Sequence, residues 1–331
     1  MGVRVTPGMT VLGTFEICNP SDPDIIQTYP DVVYNGENYQ LVWSDEKFGA
    51  YYATAGRVSP EGVVLDTGIC VSTGSGSYEY QPKIAYDGDR CLAVWPKDMG
   101  VQGRFINRDG LPEGSVFSVT ASGSGPVLSY GVGNYLVAWF NGAYPSLDII
   151  ARLFSRDGTP IGSELTLTTD GDCNRWPDVI YDGHQYLVVW TKGANSPASQ
   201  YVWAQAISSE GALIGDNFIV SAATADQRWF PAIACSDTNY FVVWGQSGAT
   251  SNIMGNVDKA ILGVREIDKT TAKNHRYQGP TVMDRASFRK HCGAYRVFDR
   301  AGRETPVSLP QPGVYFIALD RGDIVKVVVV E

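Results

Sequence analysis

Two aspartates stand at equivalent points of a repeated pattern. Asp31 and Asp178 each follow a proline that opens a short apolar run ending in tryptophan. A pair of carboxylates held roughly 5 to 9.5 Å apart can hydrolyse a glycosidic bond, one as acid and the other as base or nucleophile. The matching places in the other three copies are Lys83, Val127 and Ala232. Two acids in non-adjacent copies are thin support for that chemistry, and a strand-start aspartate is the plainer reading. No catalytic residue is therefore assigned, and the chain is expected not to be an enzyme.

Aromatic residues with polar neighbours form a second group. Just before the repeat prolines come Tyr29, Tyr78, Tyr80, Arg175, Trp176, Arg228, Trp229 and Phe230; after the tryptophans come Asp45, Glu46, Lys97, Asp98, Asn141, Tyr144, Lys192 and Gln246. Aromatic rings stack on sugar rings, so Tyr29, Tyr80, Arg175, Trp176, Arg228, Trp229 and Phe230 are candidates for glycan binding. The duplicated Arg-Trp pair is the sharpest local feature, although such rings also serve to pack neighbouring sheets.

Other chemistries lack their residues. The three histidines, 184, 275 and 291, have no context for a nucleophilic triad. Six cysteines, at 18, 70, 91, 173, 235 and 292, include no C-x-x-C pair, which leaves a zinc site unsupported. Cys18 and Cys70 read as small buried residues. Asp22/Asp24 and Asp170-Gly-Asp172 match no complete calcium loop. Neither a metal nor a cofactor is expected.

The elements that must position these residues come from self-similarity. Five segments run from Pro30 to Trp43, Pro82 to Trp95, Pro126 to Trp139, Pro177 to Trp190 and Pro231 to Trp244, each with an offset of 13, and the tryptophans are spaced by 52, 44, 51 and 54. That period is the length of a four-stranded propeller blade. Turns such as Asn35-Gly36, Asp87-Gly88 and Asp182-Gly183 join paired apolar strands as hairpins. Third and fourth strands meet at Pro60-Glu-Gly62, Arg108-Asp-Gly110, Arg156-Asp-Gly158 and Ser209-Glu-Gly211. The expectation is an all-β, five-bladed β-propeller over residues 1 to 262, its last blade completed by the N-terminal strand, which resembles the one leading to Cys70. Long loops then share one face and tight turns the other, and ligands are expected on the long-loop face.

The pattern P-x-V-A-Y-D-G-x-x-Y-L-V-V-W resembles a loose group of bacterial extracellular propeller repeats, a likeness that implies fold rather than function. After residue 262 the period is lost. Residues 263 to 331 carry, in order, V-F-D-x-x-G-R-E, P-G-V-Y-F and a terminal K-V-V-V-V, which resembles the C-terminal sorting domain of type IX secretion cargo. That likeness implies a small Ig-like β-sandwich and an extracellular or surface location, with a signal peptide removed.

Composition bounds the partners. The 331 residues carry a net charge of -9, which argues against nucleic acid, and no run approaches the roughly 20 apolar residues of a membrane span. Residues 259 to 331 hold 13 Lys+Arg against 8 Asp+Glu, a net of +5, which leaves 13 against 27, a net of -14, for residues 1 to 258. A positive tail has an attractive surface on a negative propeller, its own or a neighbour's, and the latter contact propagates. The leading expectation is thus a non-enzymatic structural protein that self-associates through its C-terminal domain. Its assembly candidates are Ile324, Val325, Val327, Val328, Val329 and Val330, a strand able to extend another sheet from an exposed edge. Binding of surface glycans and glycoside hydrolysis are the alternatives.

Overall fold

The hairpin turns fold as their side chains dictate. Asn35 Oδ1 accepts the backbone N–H groups of Glu37 (3.1 Å) and Asn38 (2.7 Å). Asp87 Oδ1 does so for Asp89 and Arg90, and Asp182 Oδ1 for His184 and Gln185. These are Asx turns, in which a short side chain replaces the missing backbone acceptor.

The computed structural model describes residues 1–5, 10–18, 25–47, 50–73, 79–193, 200–221, 227–236, 239–247, 251–258, 282–284, 296–298, 313–318 and 324–330. These residues are all-β and contain no helix; none, accordingly, is long and apolar enough to cross a membrane. The chain divides into two compact units, Met1–Val264 and Arg265–Glu331.

The first unit opens with a hairpin, β1 (Gly2–Val5) and β2 (Val11–Phe15). Up-and-down antiparallel strands follow in five groups. The first is β3 (Ile26–Tyr34), β4 (Tyr39–Lys47), β5 (Ala50–Val58) and β6 (Val64–Cys70). The second is β7 (Lys83–Tyr86), β8 (Cys91–Lys97), β9 (Gly100–Ile106) and β10 (Pro112–Thr120). The third is β11 (Ser124–Tyr130), β12 (Asn134–Ala143), β13 (Ser146–Ser155) and β14 (Pro160–Thr166). The fourth is β15 (Cys173–Tyr181), β16 (Gln185–Gly193), β17 (Gln200–Ser208) and β18 (Leu213–Ile219). The fifth is β19 (Gln227–Cys235), β20 (Tyr240–Ser247) and β21 (Ser251–Asp258). A single parallel bridge, Leu147 to Cys173, joins the third and fourth groups.

Strands this apolar need cover on both faces, and consecutive sheets provide it. Val42 and Ala55 of the first sheet pack with Ile84 and Trp95 of the second. Val94 and Phe105 of the second pack with Tyr135 and Trp139 of the third. Leu136 and Ile149 of the third meet Val188 and Trp190 of the fourth, and Val189 and Val202 meet Val242 and Trp244 of the fifth. All five repeat tryptophans are buried, as structural pillars of these interfaces. The strand that opens each group packs against the opening strand of the next, from β3 through β7, β11 and β15 to β19, which is a propeller-like arrangement.

The tight-turn face is stitched by polar clips between neighbouring sheets. Arg156 Nε donates to Asp87 Oδ2 at 3.1 Å, Arg90 Nη2 to the Arg156 carbonyl at 2.9 Å and Arg57 Nη1 to the Arg108 carbonyl at 2.9 Å. Tyr186 donates to the Asn134 carbonyl, and Tyr240 donates to Asp182.

Three expectations change. β2 pairs with β1, and Phe15, Ile17 and Cys18 pack on Leu41, Trp43 and Val58 of the first sheet. Among the described residues the fifth sheet therefore has three strands, and the N-terminal segment completes none of it. Cys70 is exposed rather than buried, with its thiol turned to the Ser72 carbonyl.

The third change lies in the second compact unit. Its strands β22 (Val282–Asp284), β23 (Arg296–Phe298), β24 (Gly313–Ala318) and β25 (Ile324–Val330) form one sheet in the order β22-β25-β24-β23. Ile324, Val325, Val327, Val328 and Val329 all face β24 residues in register, while Val328, Val329 and Val330 pair in parallel with β22. Among the described residues the strand is thus interior to its sheet rather than the edge strand expected for extending another, with Val328 and Val329 paired on both sides.

Candidate functional site

Four of the five opening strands break their register at the repeat proline, while β7 begins directly after its own. The shifts fall between Thr28 and Asp31, Ser124 and Val127, Arg175 and Asp178, and Trp229 and Ala232. The residue immediately before the proline is left-handed in all five copies: Tyr29 (φ 53°), Gln81 (53°), Gly125 (58°), Trp176 (55°) and Phe230 (53°). Only one of the five is glycine. A side chain in this region costs about 1 to 2 kcal/mol, and a following proline restricts the residue further. Bulges of this kind re-aim a side chain beside a site.

One residue past the proline, the bulge delivers the aspartates. Asp31 Oδ2 accepts the Ile84 backbone N–H at 3.0 Å, and Asp178 Oδ2 accepts that of Ile233 at 2.8 Å. Each thus reaches from its own opening strand to the next. The Lys83 ammonium stands 3.8 Å from Asp31 Oδ1. Asp178 is half-buried, and desolvation drives its carboxyl up to about 6; N–H donation from Ile233 and Val179 and the Lys83 charge oppose the rise, while the Asp31 charge adds to it. Charged groups from three different opening strands therefore act on one another. Such an arrangement lets Asp178 keep its proton in mildly acidic solution, above the range of an ordinary carboxyl.

The aromatic candidates separate. Trp176 and Phe230 come together, with ring centroids 4.4 Å apart and planes at 40°, and the Arg175 guanidinium lies 3.9 Å from the Trp176 ring. Phe230 and Tyr29 are exposed, at 59% and 50%. Tyr80 is half-buried between the Ser124 hydroxyl at 3.2 Å and the Tyr51 ring.

Arg228 and Trp229 belong elsewhere. The two Arg-Trp pairs are not in the same register: Trp176 directly precedes Pro177, whereas Phe230 stands between Trp229 and Pro231. A shift of one residue along a strand sends a side chain to the opposite face. Arg228 is accordingly buried and donates to the Gln200 carbonyl at 2.6 Å, and Trp229 lies against Gly245 of β20. Arg228 is corrected from a ligand candidate to internal hydrogen bonding, while Trp229 is half-buried.

Several long-loop polar residues are engaged within the fold. Asp45 accepts from Trp43 Nε1, Gln27 Nε2 and Thr54 Oγ1. Lys97 pairs with buried Glu79 at 2.7 Å, and Lys192 with Asp170 (2.7 Å) and Asp172 (3.4 Å). The last pair accounts for the Asp-Gly-Asp motif as a loop salt bridge. Tyr78, Asp22, Asp24, His275, His291 and Cys292 lie outside the described residues. Sequence reasoning missed Gln81; its place before a repeat proline was the available signal.

No protein-family model matches the sequence, and no curated protein matches it. Among solved structures, a protein of unknown function from Dyadobacter fermentans is similar over 92% of this chain and 94% of its own, with 11% identity and a TM-score of 0.54. An endo-arabinase from Bacteroides thetaiotaomicron is similar over 69% of this chain and 92% of its own (12% identity, TM-score 0.46). A GH43 endo-arabinanase from Bacillus licheniformis is similar over 71% and 94% (12% identity, TM-score 0.42). These likenesses concern the fold, and it is propeller-like.

They also correct the leading expectation. The solved structures similar to this chain include glycoside hydrolases, and β25 lies between β22 and β24 in its sheet. The non-enzymatic, self-associating account and the expectation of no enzyme are withdrawn.

Proposed function

We propose that the chain is a glycoside hydrolase whose site lies where the opening strands converge. The observation that carries this reading is the coupling of Asp178, half-buried and raised to about 6, to the charges of Asp31 and Lys83 on other strands. Asp178 in its protonated form donates to the oxygen of the leaving sugar. Asp31 supplies the second carboxyl group, acting on a water molecule or on the sugar carbon. Lys83, 3.8 Å from Asp31, orients it.

In the same reading the five sheets stand as blades about a common axis, with the opening strands innermost. The C-terminal unit is a sorting-type export domain with an Ig-like fold, the chain acts outside the cell, and its partners are surface or environmental glycans. Release of reducing sugar from soluble polysaccharides tests the activity, and it requires loss of turnover in both Asp31→Asn and Asp178→Asn.

A second reading, glycan capture without cleavage, is favoured by one observation: both aspartates also serve as clips to the next strand. It predicts binding that survives in both variants, with no turnover in the native protein.

A further inference from the structure

The residues before the repeat prolines share one backbone conformation and differ in chemistry: tyrosine, glutamine, glycine, tryptophan and phenylalanine. Glycine suits this conformation best, yet it stands at only one of the five positions. At that one, Gly125, a Cβ would collide with the ring of Phe140 from the adjacent strand, so an aromatic ring lies there as well. Four of the five positions thus place an aromatic ring beside a repeat proline, and two of those prolines, Pro30 and Pro177, directly precede Asp31 and Asp178.

Trp176 and Phe230 show how the rings are organised. They pack on each other at 4.4 Å, Arg175 lies against Trp176, and Phe230 remains 59% exposed although it is large and apolar. A ring fixed from behind and open in front is a preorganised platform. Tyr29, at 50% exposure, presents a second ring with a hydroxyl, and Gln81 adds an amide held at its backbone by Ser44.

We propose that Tyr29, Gln81, Trp176 and Phe230 form a collar that grips one sugar unit of a neutral polysaccharide, stacking the ring on Phe230 and Tyr29 and leaving the next linkage at Asp178. The inference deepens the hydrolase reading and rests on it for the position of the cleaved bond. Neutral sugars are specified because residues 1 to 258 carry a net charge of -14 and the site itself holds two carboxyls, which repel a uronic-acid polymer.

The test is Phe230→Gly, with Trp176→Gly beside it. Glycine keeps the left-handed backbone and relieves its strain, so Phe230→Gly should melt no lower than the native protein. A ring needed only for packing would instead lower the melting temperature when removed. Affinity for soluble arabinan, xylan and galactan, measured by calorimetry, should fall about tenfold or more in both variants, while polygalacturonate binds none of the proteins.

Affinities within about twofold of native, or preference for polygalacturonate, overturn the collar even when Asp178→Asn abolishes turnover. Binding that is lost in Phe230→Gly, in a native protein that cleaves nothing, upholds the collar and removes the hydrolase reading. A native protein that binds none of the neutral polymers overturns the collar.

Discussion

Asp178 receives the backbone N–H of Ile233 from the neighbouring strand at 2.8 Å, yet its carboxyl is raised to about 6. Donation from a backbone N–H lowers a carboxyl's pKa, so desolvation outweighs it. The same contact recurs between Asp31 and Ile84. One residue type at one repeat position thus serves as a structural clip and as a candidate acid.

The raised value makes stability pH-dependent. The folded pKa lies above the unfolded one, so the folded form holds the proton more tightly, and stability falls as pH rises from about 4 through about 6. Thermal melts between pH 4 and 8 should show this fall, and Asp178→Asn should flatten it, because asparagine cannot ionise.

Hydrolysis, if Asp178 is the acid, declines on the alkaline side of about pH 6. Lys83 lowers the Asp178 pKa and also pairs with Asp31. Lys83→Met should therefore move the alkaline limb of kcat/KM to higher pH. A limb that stays in place detaches Lys83 from the acid.

Asp87 behaves oppositely. Burial pushes its carboxyl up, but hydrogen bonds from Arg156 and from the backbone of Arg90 and Asp89 win and hold it below the ordinary range. Its stabilising contribution is complete above about pH 4 and is lost as pH falls through the lowered value. Urea titrations should show Asp87→Asn less stable than native at pH 7, with the gap closing in acid.

The two arginines of the Arg-Trp pairs should part company. Arg228→Ala removes the hydrogen bond from this buried side chain to the Gln200 carbonyl and should cost about 1 to 3 kcal/mol in denaturant unfolding. Arg175→Ala, at a half-buried position against Trp176, should change stability by less than about 1 kcal/mol and act on glycan affinity instead.

Much of the architecture was legible because the signals are local. Pro30, Asn35-Gly36 and Trp43 define a strand, a turn and a strand within 14 residues, and the hairpin β3-β4 follows them. The burial of the tryptophans was legible for the same reason. What failed was non-local or depended on a single step of register. The Arg-Trp dipeptides look duplicated, but the extra residue before Pro231 turns Arg228 inward. The apolar run Ile324–Val330 announces a strand without saying which strands flank it, and β22 arrives from about 45 residues away. The left-handed residue before each proline defied propensity altogether: nothing about Tyr29 or Phe230 favours that conformation, and only the repeated bulge imposes it.

The most direct test is reducing-sugar release from soluble neutral polysaccharides by the native protein, Asp31→Asn and Asp178→Asn, each first shown folded by circular dichroism. The account predicts turnover by the native protein and a loss of about 100-fold or more in each variant. Equal turnover in all three proteins, or none in the native one, contradicts it.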